Sequence, residues 1–373
     1  MTFDRRRFLG ASLAGVGAVA LAGGSATAGN AATGDVPALL RRYLDKGISY
    51  GFPGLVCGVL RGGTQYVEGA GRLAGAGSAR PDGDTVFQLG SVTKTFTGLM
   101  LAEAVERGVV RLDEPVRNRV PWPVPTAQGK EIRLVDLATH SSGLPRLPAN
   151  IDKVPGFDPL DPYRAITRAD LARFLAETKL GSVPGTKFDY SNFGFALLGQ
   201  ALSSRYDQML RTITVPLGLR DTALCLNPEQ RQRKAQGYSQ GQAVPDWTGE
   251  TFAAAGCSAY STVNDQLRYL GHQLAPESGP FAAAIRNTQK VHFTDPASKV
   301  GLGLDWIHGT LPSGRAILGH DGGTGGFSSY ALFCPDSGTA LAMMGNLAPD
   351  AQHPERTVDA LAVDLFRELD ALP

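Results

Sequence analysis

The sequence predicts an α+β fold: an antiparallel sheet built from both chain ends, flanked by terminal helices, with a mostly helical lobe inserted between its strands. Three observations carry that prediction. Apolar residues recur at helical spacing near each terminus, hairpin patterns lie just inside both, and the long middle is helical and loop-rich. With 373 residues, 43% of them hydrophobic and 19% charged, the chain can bury a sizeable core, which excludes disorder as its main state. A formal net charge of +1 gives no basic excess for neutralising phosphates, so no nucleic-acid partner is expected.

The chain opens on Asp4-Arg5-Arg6-Arg7-Phe8-Leu9-Gly10, and a glycine-diluted apolar run follows as far as Ala26-Thr27-Ala28. Paired arginines, Phe-Leu and small residues at a cleavage point resemble a bacterial twin-arginine export signal over residues 1–28. Residues 29–373 would then be delivered to the periplasm or secreted. The apolar run over 8–21 is short for a hydrocarbon core of ~30 Å, so no stable membrane anchor is expected after cleavage.

Val36, Leu39, Leu40, Tyr43 and Leu44 place a first amphipathic helix over 35–46. Residues 55–60, a Gly62-Gly63 turn and Gln65-Tyr66-Val67 read as a β-hairpin. Near the other end, residues 327–334 and 340–344 flank Pro335-Asp336-Ser337-Gly338 as a second hairpin. Pro354 opens a last helix whose stripe is Val358, Leu361, Leu365 and Leu369. A single domain is expected, its sheet lobe spanning roughly 29–90 and 286–373 and its helical lobe roughly 91–285.

Four cysteines are present, and an oxidising compartment permits disulfides. Cys57 and Cys334 sit in apolar strand-like runs and read as buried thiols, which leaves Cys225–Cys257 as the pair open to bridging. The six histidines include no pair at metal-ligand spacing. Neither a metal nor a cofactor is expected.

The most informative stretch is Phe87-Gln88-Leu89-Gly90-Ser91-Val92-Thr93-Lys94-Thr95-Phe96. A helix beginning at Ser91, with Val92, Phe96, Leu99 and Ala102 on its buried face, puts Ser91 and Lys94 on one side, a turn apart. The helix's positive end favours a developing anion, and a partly desolvated lysine can take a serine proton. A lone Ser-x-x-Lys is usually no more than an N-cap beside a solvated lysine. Here it is followed by Tyr190-Ser191-Asn192 and by Gly319-His320-Asp321-Gly322-Gly323-Thr324, a glycine-rich strand that can bring a backbone N–H to an oxyanion.

In this order the three pieces resemble the Ser-x-x-Lys, Tyr-x-Asn and Lys/His-x-Gly elements of the penicillin-recognising serine hydrolases. The branch they resemble holds the class C β-lactamases and the D-alanyl-D-alanine carboxypeptidases and esterases. Leu134-Val135-Asp136-Leu137-Ala138-Thr139-His140-Ser141-Ser142-Gly143-Leu144-Pro145, residues 216–222 and residues 260–265 look like further landmarks of that branch. The resemblance implies a β-lactamase/transpeptidase-like fold. It implies Ser91 as nucleophile, Lys94 as its proton acceptor, and Tyr190, as phenolate or hydrogen-bonded relay, serving the leaving group and the deacylating water. It also implies an oxyanion hole from the Ser91 and Gly323 N–H groups. Asn192, His320, Asp321, Gly322 and Thr324 would contact substrate.

Two departures bear on specificity. His320-Asp321-Gly322 stands where β-lactamases of this branch carry Lys-Thr-Gly, and a carboxylate facing a substrate carboxylate at ~4–6 Å would cost several kcal/mol at an effective dielectric of about 20. Unless Asp321 points away or is paired with an arginine, it favours substrates lacking a carboxylate. Leu147 falls where class C enzymes carry a glutamine, and residues 146–163 either border the cleft or form a solvated loop. The expected function is an exported serine acyl-hydrolase acting on peptidoglycan-type peptides or β-lactams, with an esterase, amidase or acyltransferase as the alternative. A catalytically silent binding domain on the same fold is the reading from another class. A Ser-His-Asp hydrolase is not expected, because no Gly-x-Ser-x-Gly elbow is expected in the mature chain. The partner is a small-molecule or peptide substrate, and a monomer is expected.

Overall fold

The computed structural model describes residues 35–372, so the export signal expected over 1–28 lies outside the described residues. In chain order the elements are α1 (Val36–Ser49), β1 (Gly54–Arg61), β2 (Thr64–Gly71), β3 (Phe87–Gln88), α2 (Thr93–Glu106), α3 (Leu134–Ala138), α4 (Arg168–Glu177), α5 (Asn192–Leu202), α6 (Tyr206–Thr214) and α7 (Pro228–Gln232). They continue with β4 (Gly237–Ser239), β5 (Gln242–Val244), β6 (Tyr260–Ser261), α8 (Val263–Leu274), α9 (Ala282–Gln289), β7 (Phe293–Thr294), β8 (Gly301–Leu302) and β9 (Ile307–Thr310). The last four are β10 (Ala316–Gly323), β11 (Ser328–Cys334), β12 (Thr339–Gly345) and α10 (Val358–Asp370).

Eight strands form one sheet in the order β2-β1-β12-β11-β10-β9-β8-β7, so the first hairpin pairs directly with the last strand. β1 and β12 run antiparallel, Leu55 opposite Gly345 and Leu60 opposite Ala340. The expected antiparallel sheet joining the two chain ends is what forms. Side-chain alternation divides it into two faces. Ile317, Leu332, Cys334, Leu341 and Met343 pack under α1 and α10, whereas Leu318, Ala331, Phe333 and Ala342 belong to the larger core shared with the helical middle of the chain.

The helix carrying Lys94 departs from the sequence expectation in two ways. It begins later, because Gly90–Val92 form a 3-10 turn and regular α-helix starts at Thr93; Gly90 has φ +58. It is also buried on every face from Thr93 to Ala102 rather than along one stripe. Thr93, Lys94, Thr95 and Thr97 are buried along with its apolar residues, and α2 packs against α5, α6 and α9.

Gly98 permits that depth, since a Cβ there would sit 2.0 Å from the Leu304 carbonyl oxygen. Gly98→Ala is therefore expected to destabilise the fold by about 1–3 kcal/mol through overpacking, read as a lower denaturant midpoint at unchanged slope. At the C-terminus, Pro354 opens a 3-10 turn, and α10 starts at Val358 behind a Thr357 cap. All four cysteines are free thiols. Cys57, Cys257 and Cys334 are buried and Cys225 is exposed, so the Cys225–Cys257 bridge does not form. Among the described residues no helix is long and apolar enough to cross a membrane.

Candidate active site

Ser91 sits in the 3-10 turn leading into α2, and its hydroxyl caps no helix. The Lys94 ammonium nitrogen lies 2.8 Å from Ser91 Oγ, 2.7 Å from Tyr190 OH and 2.7 Å from the Ala255 carbonyl. Lys94 is fully buried, so the bland alternative of a capping serine beside a solvated lysine does not describe this pair. Burial lowers the Lys94 pKa to about 7, with the nearby Arg146 charge adding to the effect and the Asp305 and Asp321 charges opposing it. Burial pushes the Tyr190 phenol up, helped by the charges of Asp321 and Asp305. The same loss of water disfavours both charged forms, so a neutral amine beside a neutral phenol is favoured. That argues against a resting phenolate and leaves the amine lone pair free to take the Ser91 proton.

Tyr190 is placed by its neighbour. Ser191 caps α5, its Oγ accepting the Gly194 N–H at 2.8 Å and donating to the Pro145 carbonyl at 2.7 Å, while its own N–H donates to His140 Nδ1 at 3.0 Å. The Tyr190 ring packs against His140, with centroids 4.2 Å apart.

The third motif arrives on β10. A Cβ at Gly322 would fall 2.3 Å from the Leu89 carbonyl and 3.2 Å from the Ser91 nitrogen, so the strand can approach the serine only with glycine there. Ser329 on β11 donates to the same Leu89 carbonyl at 2.7 Å. Gly323, one residue on, lines the cleft together with Ser91, Asn192, Arg146, Tyr163 and Trp247. The cleft has an empty volume of about 350 Å³.

His320 does not line this cleft and is not a surface histidine. It is buried, 6.2 Å from Tyr190 between ring centroids, and its Nε2 lies 3.0 Å from Asp305 Oδ2. The other Asp305 oxygen is 3.0 Å from His140 Nε2. His140 Nδ1 accepts the Ser191 N–H, so His140 is neutral with its hydrogen on Nε2, and burial lowers its pKa to about 4. The Asp321 carbonyl 2.6 Å from His320 Nδ1 can only accept, so Nδ1 carries a hydrogen, and the Asp305 carboxylate 3.0 Å from Nε2 favours the imidazolium. The Asp305 charge raises the His320 pKa against its burial, and the two histidines hold the Asp305 carboxyl below its usual value.

His140, Asp305 and His320 bring their ligand atoms within 4.8 Å of one another, a grouping that spacing along the chain did not reveal. The hydrogen-bond pattern leaves His140 Nε2 without a lone pair for a cation, and the cluster is better described as an ion pair flanked by a neutral imidazole.

Asp321 lies elsewhere than expected. On β10 it alternates with His320 and Gly322, shares the face of Ile317, and is paired across the sheet with Tyr330. Burial and the Asp321 charge push the Asp359 carboxyl on α10 well above its usual value, which marks what Asp321 faces. It is not among the residues lining the cleft, so the expected clash with a substrate carboxylate does not arise. Asp321→Thr is accordingly expected to change the ratio of carboxylate-bearing to neutral substrate turnover by less than about threefold. The acid limb of the rate profile should move to lower pH, because one charge favouring the Lys94 ammonium is gone. Thr324 is buried, its N–H bonded to Phe327, and it too lies outside the cleft lining.

Asn192 lines the cleft and donates to Tyr163 OH at 3.4 Å. Arg146, Leu147 and Tyr163 all line it, so the 146–163 segment does border the cleft. Contrary to the sequence expectation, a Gly-x-Ser-x-Gly string is present as Gly237-Tyr238-Ser239-Gln240-Gly241. It forms the β4–β5 hairpin, with φ +50 and +75 at its two turn residues, and makes no strand-to-helix elbow.

A buried amine linking a serine hydroxyl to a phenol, at a cleft lined by Ser91 and Gly323, is suited to acyl transfer through a serine ester, and the chain is a serine hydrolase of that class. Residues 36–364 match the Beta-lactamase family, and the chain belongs to it. Over 334 residues it is 30% identical to the D-alanyl-D-alanine-carboxypeptidase/endopeptidase AmpH of Escherichia coli (strain K12), covering 83% of this chain and 84% of that protein. Over 332 residues it is 29% identical to a beta-lactamase of the same strain, covering 79% and 84% respectively. Among solved structures it resembles a beta-lactamase/D-alanine carboxypeptidase from Yersinia pestis complexed with citrate. The TM-score is 0.74 at 26% identity, over 88% of this chain and 98% of that one.

Proposed function

We propose that this chain is an exported serine acyl-hydrolase of one catalytic domain, acting on D-amino-acid peptide amides of the peptidoglycan type or on β-lactams. The observation that carries the reading is the fully buried Lys94 nitrogen held within 2.8 Å of both the Ser91 and Tyr190 hydroxyls. Lys94, as free amine, takes the Ser91 proton while Ser91 Oγ bonds to the substrate carbonyl carbon. The carbonyl oxygen becomes an anion that the Ser91 and Gly323 N–H groups receive. The proton passes through Tyr190 to the departing nitrogen as the C–N bond breaks, leaving the acyl-serine ester. Water then attacks that ester, losing its proton to the Lys94–Tyr190 pair, and the serine hydroxyl is restored.

Two of the curated relatives bear carboxypeptidase and beta-lactamase names, which supports the substrate class. The esterase alternative leaned on Asp321 facing the ligand, and Asp321 is turned to the other side of the sheet. Export rests on the arginine pair, the short apolar run and Ala26-Thr27-Ala28. D-alanine release from a peptide ending in D-alanyl-D-alanine, measured beside hydrolysis of a simple ester, tests the reading. Release at a rate rising through an acid limb near pH 7, where Lys94 loses its proton, is expected. Ester hydrolysis with no D-alanine release would contradict the substrate class.

A further inference from the structure

Arg146 is a cation without a counter-charge at the lip of the cleft. It follows the 134–145 segment, lines the cleft with Ser91 and Asn192, and stacks its guanidinium 5.0 Å from the Tyr190 ring centroid. Its Nε and Nη1 are buried and meet no acceptor, and among the described residues no carboxylate lies within ion-pair distance of it. The contrast with the rest of the protein is informative. Arg133, a short way back along the chain, spends its guanidinium on Asp136 at 2.7 Å, and Arg233 binds Asp221 at 2.6 Å.

Guanidinium N–H groups out of water are unfavourable unless something accepts from them, and the planar fork fits a carboxylate in two parallel bonds. The guanidinium carbon lies over the Tyr190 ring, and Nε and Nη1 remain without an acceptor. Asn192 beside it has a buried Oδ1 without a donor, a place for an N–H of the substrate next to the carboxylate that Arg146 would take. Leu147, the next residue, supplies an apolar wall, so a charged group in this half of the cleft meets one cation and little else that is charged. The nearest carboxylates of the site, Asp305 and Asp321, lie behind Tyr190 and on the far face of the sheet and do not line the cleft.

We infer that Arg146 is a specificity-determining residue that receives a carboxylate of the substrate beside Tyr190 and Asn192. The inference rests on the acyl-transfer reading above and deepens it, because it makes a monoanionic substrate the preferred class without calling on the third motif.

The test uses two ester pairs that differ in one carboxylate. The first sets p-nitrophenyl butyrate against mono-p-nitrophenyl succinate, with the charge in the acyl part. The second sets phenyl phenylacetate against 3-carboxyphenyl phenylacetate, with the charge in the leaving group. In the wild type, kcat/KM should favour the anionic member of one pair by about tenfold or more, chiefly through KM, and the preference should shrink as salt is added. In Arg146→Met the ratio should collapse towards one, and Arg146→Lys should keep more of it than Arg146→Met does. A wild type with no anionic preference in either pair, or a ratio that survives Arg146→Met, overturns the inference while leaving acyl transfer standing. Equal collapse in the lysine and methionine variants also overturns it, since the charge would then not be the cause. A wild type that hydrolyses none of the four esters and forms no Ser91 adduct overturns the acyl-transfer reading, and this inference with it.

Discussion

Ser91→Ala is expected to remove turnover by about 10⁴–10⁶-fold, with KM little changed for whatever residual rate can be measured. The hydroxyl is the only atom lost; the Lys94 nitrogen lies 2.8 Å from it, and Tyr190 is its other hydrogen-bond partner. Lys94 retains Tyr190 OH and the Ala255 carbonyl, so the buried amine is not stranded and the fold should survive. Circular dichroism and a denaturation midpoint close to wild type would confirm that the loss is chemical. The variant also separates an enzyme from a silent binding domain on the same fold. A domain that only binds would behave identically with alanine at this position.

Asp305→Asn should produce the second-largest effect, and it should appear in both stability and pH dependence. Asp305 is buried in the connection between β8 and β9 with φ +75, held between two imidazoles at 3.0 Å each. Removing one member of a buried ion pair strands the other, which costs about 3–5 kcal/mol. The pair's contribution has a defined pH window. Asp305, whose folded pKa is depressed, stabilises above the unfolded value of about 4 and loses that contribution as pH falls. His320, whose folded pKa is raised, stabilises fully below the unfolded value of about 6.5 and loses its contribution as pH rises through the raised one. The stability gap between wild type and Asp305→Asn should therefore be widest between about pH 4 and 6.5 and narrow on both sides.

Activity carries a readout that a merely structural role would not move. The Asp305 charge favours the Lys94 ammonium, so its loss should shift the acid limb of kcat/KM below the wild-type position near pH 7. A rate that falls with no shift in that limb would make Asp305 a scaffold residue and no more. Asp305 touches no substrate in this account. It positions His320 and sets the charge beneath the Lys94–Tyr190 pair.

Much of the fold was legible because the two chain ends carry strong periodicities. The 36–44 stripe and the 358–369 stripe each name one face of a helix, and the hairpins inside them turn at Gly62-Gly63 and Pro335-Asp336-Ser337-Gly338. The onset of α2 was not legible, since Gly90 with φ +58 bends the chain into a 3-10 turn and nothing in a hydrophobic pattern reports that. The meeting of Ser91 and Lys94 was legible from their spacing of three, whereas Tyr190 joins them only through the fold.

That Asp321 points away from the cleft, the case in which no clash is expected, is written in strand parity. Strand parity puts Leu318, His320 and Gly322 on one side of β10 and Ile317 and Asp321 on the other, and the glycines obliged to face Ser91 fix which side is which. The His140–Asp305–His320 cluster was out of reach, because its members are far apart in sequence and meet only through the packing of α3, the β8–β9 connection and β10. Arg146 sat in plain view in a loop, but an unpaired charge can be recognised only once every neighbour is placed.

Intact-protein mass after quenching the enzyme with benzylpenicillin, with drug loss followed in the same tube, tests the central claim most directly. The account predicts a mass increase of one whole penicillin on wild-type protein, lasting or turning over with drug consumption, mapped to the Ser91 peptide and absent from Ser91→Ala. An adduct that persists in Ser91→Ala, or drug consumed equally by both proteins, would contradict it.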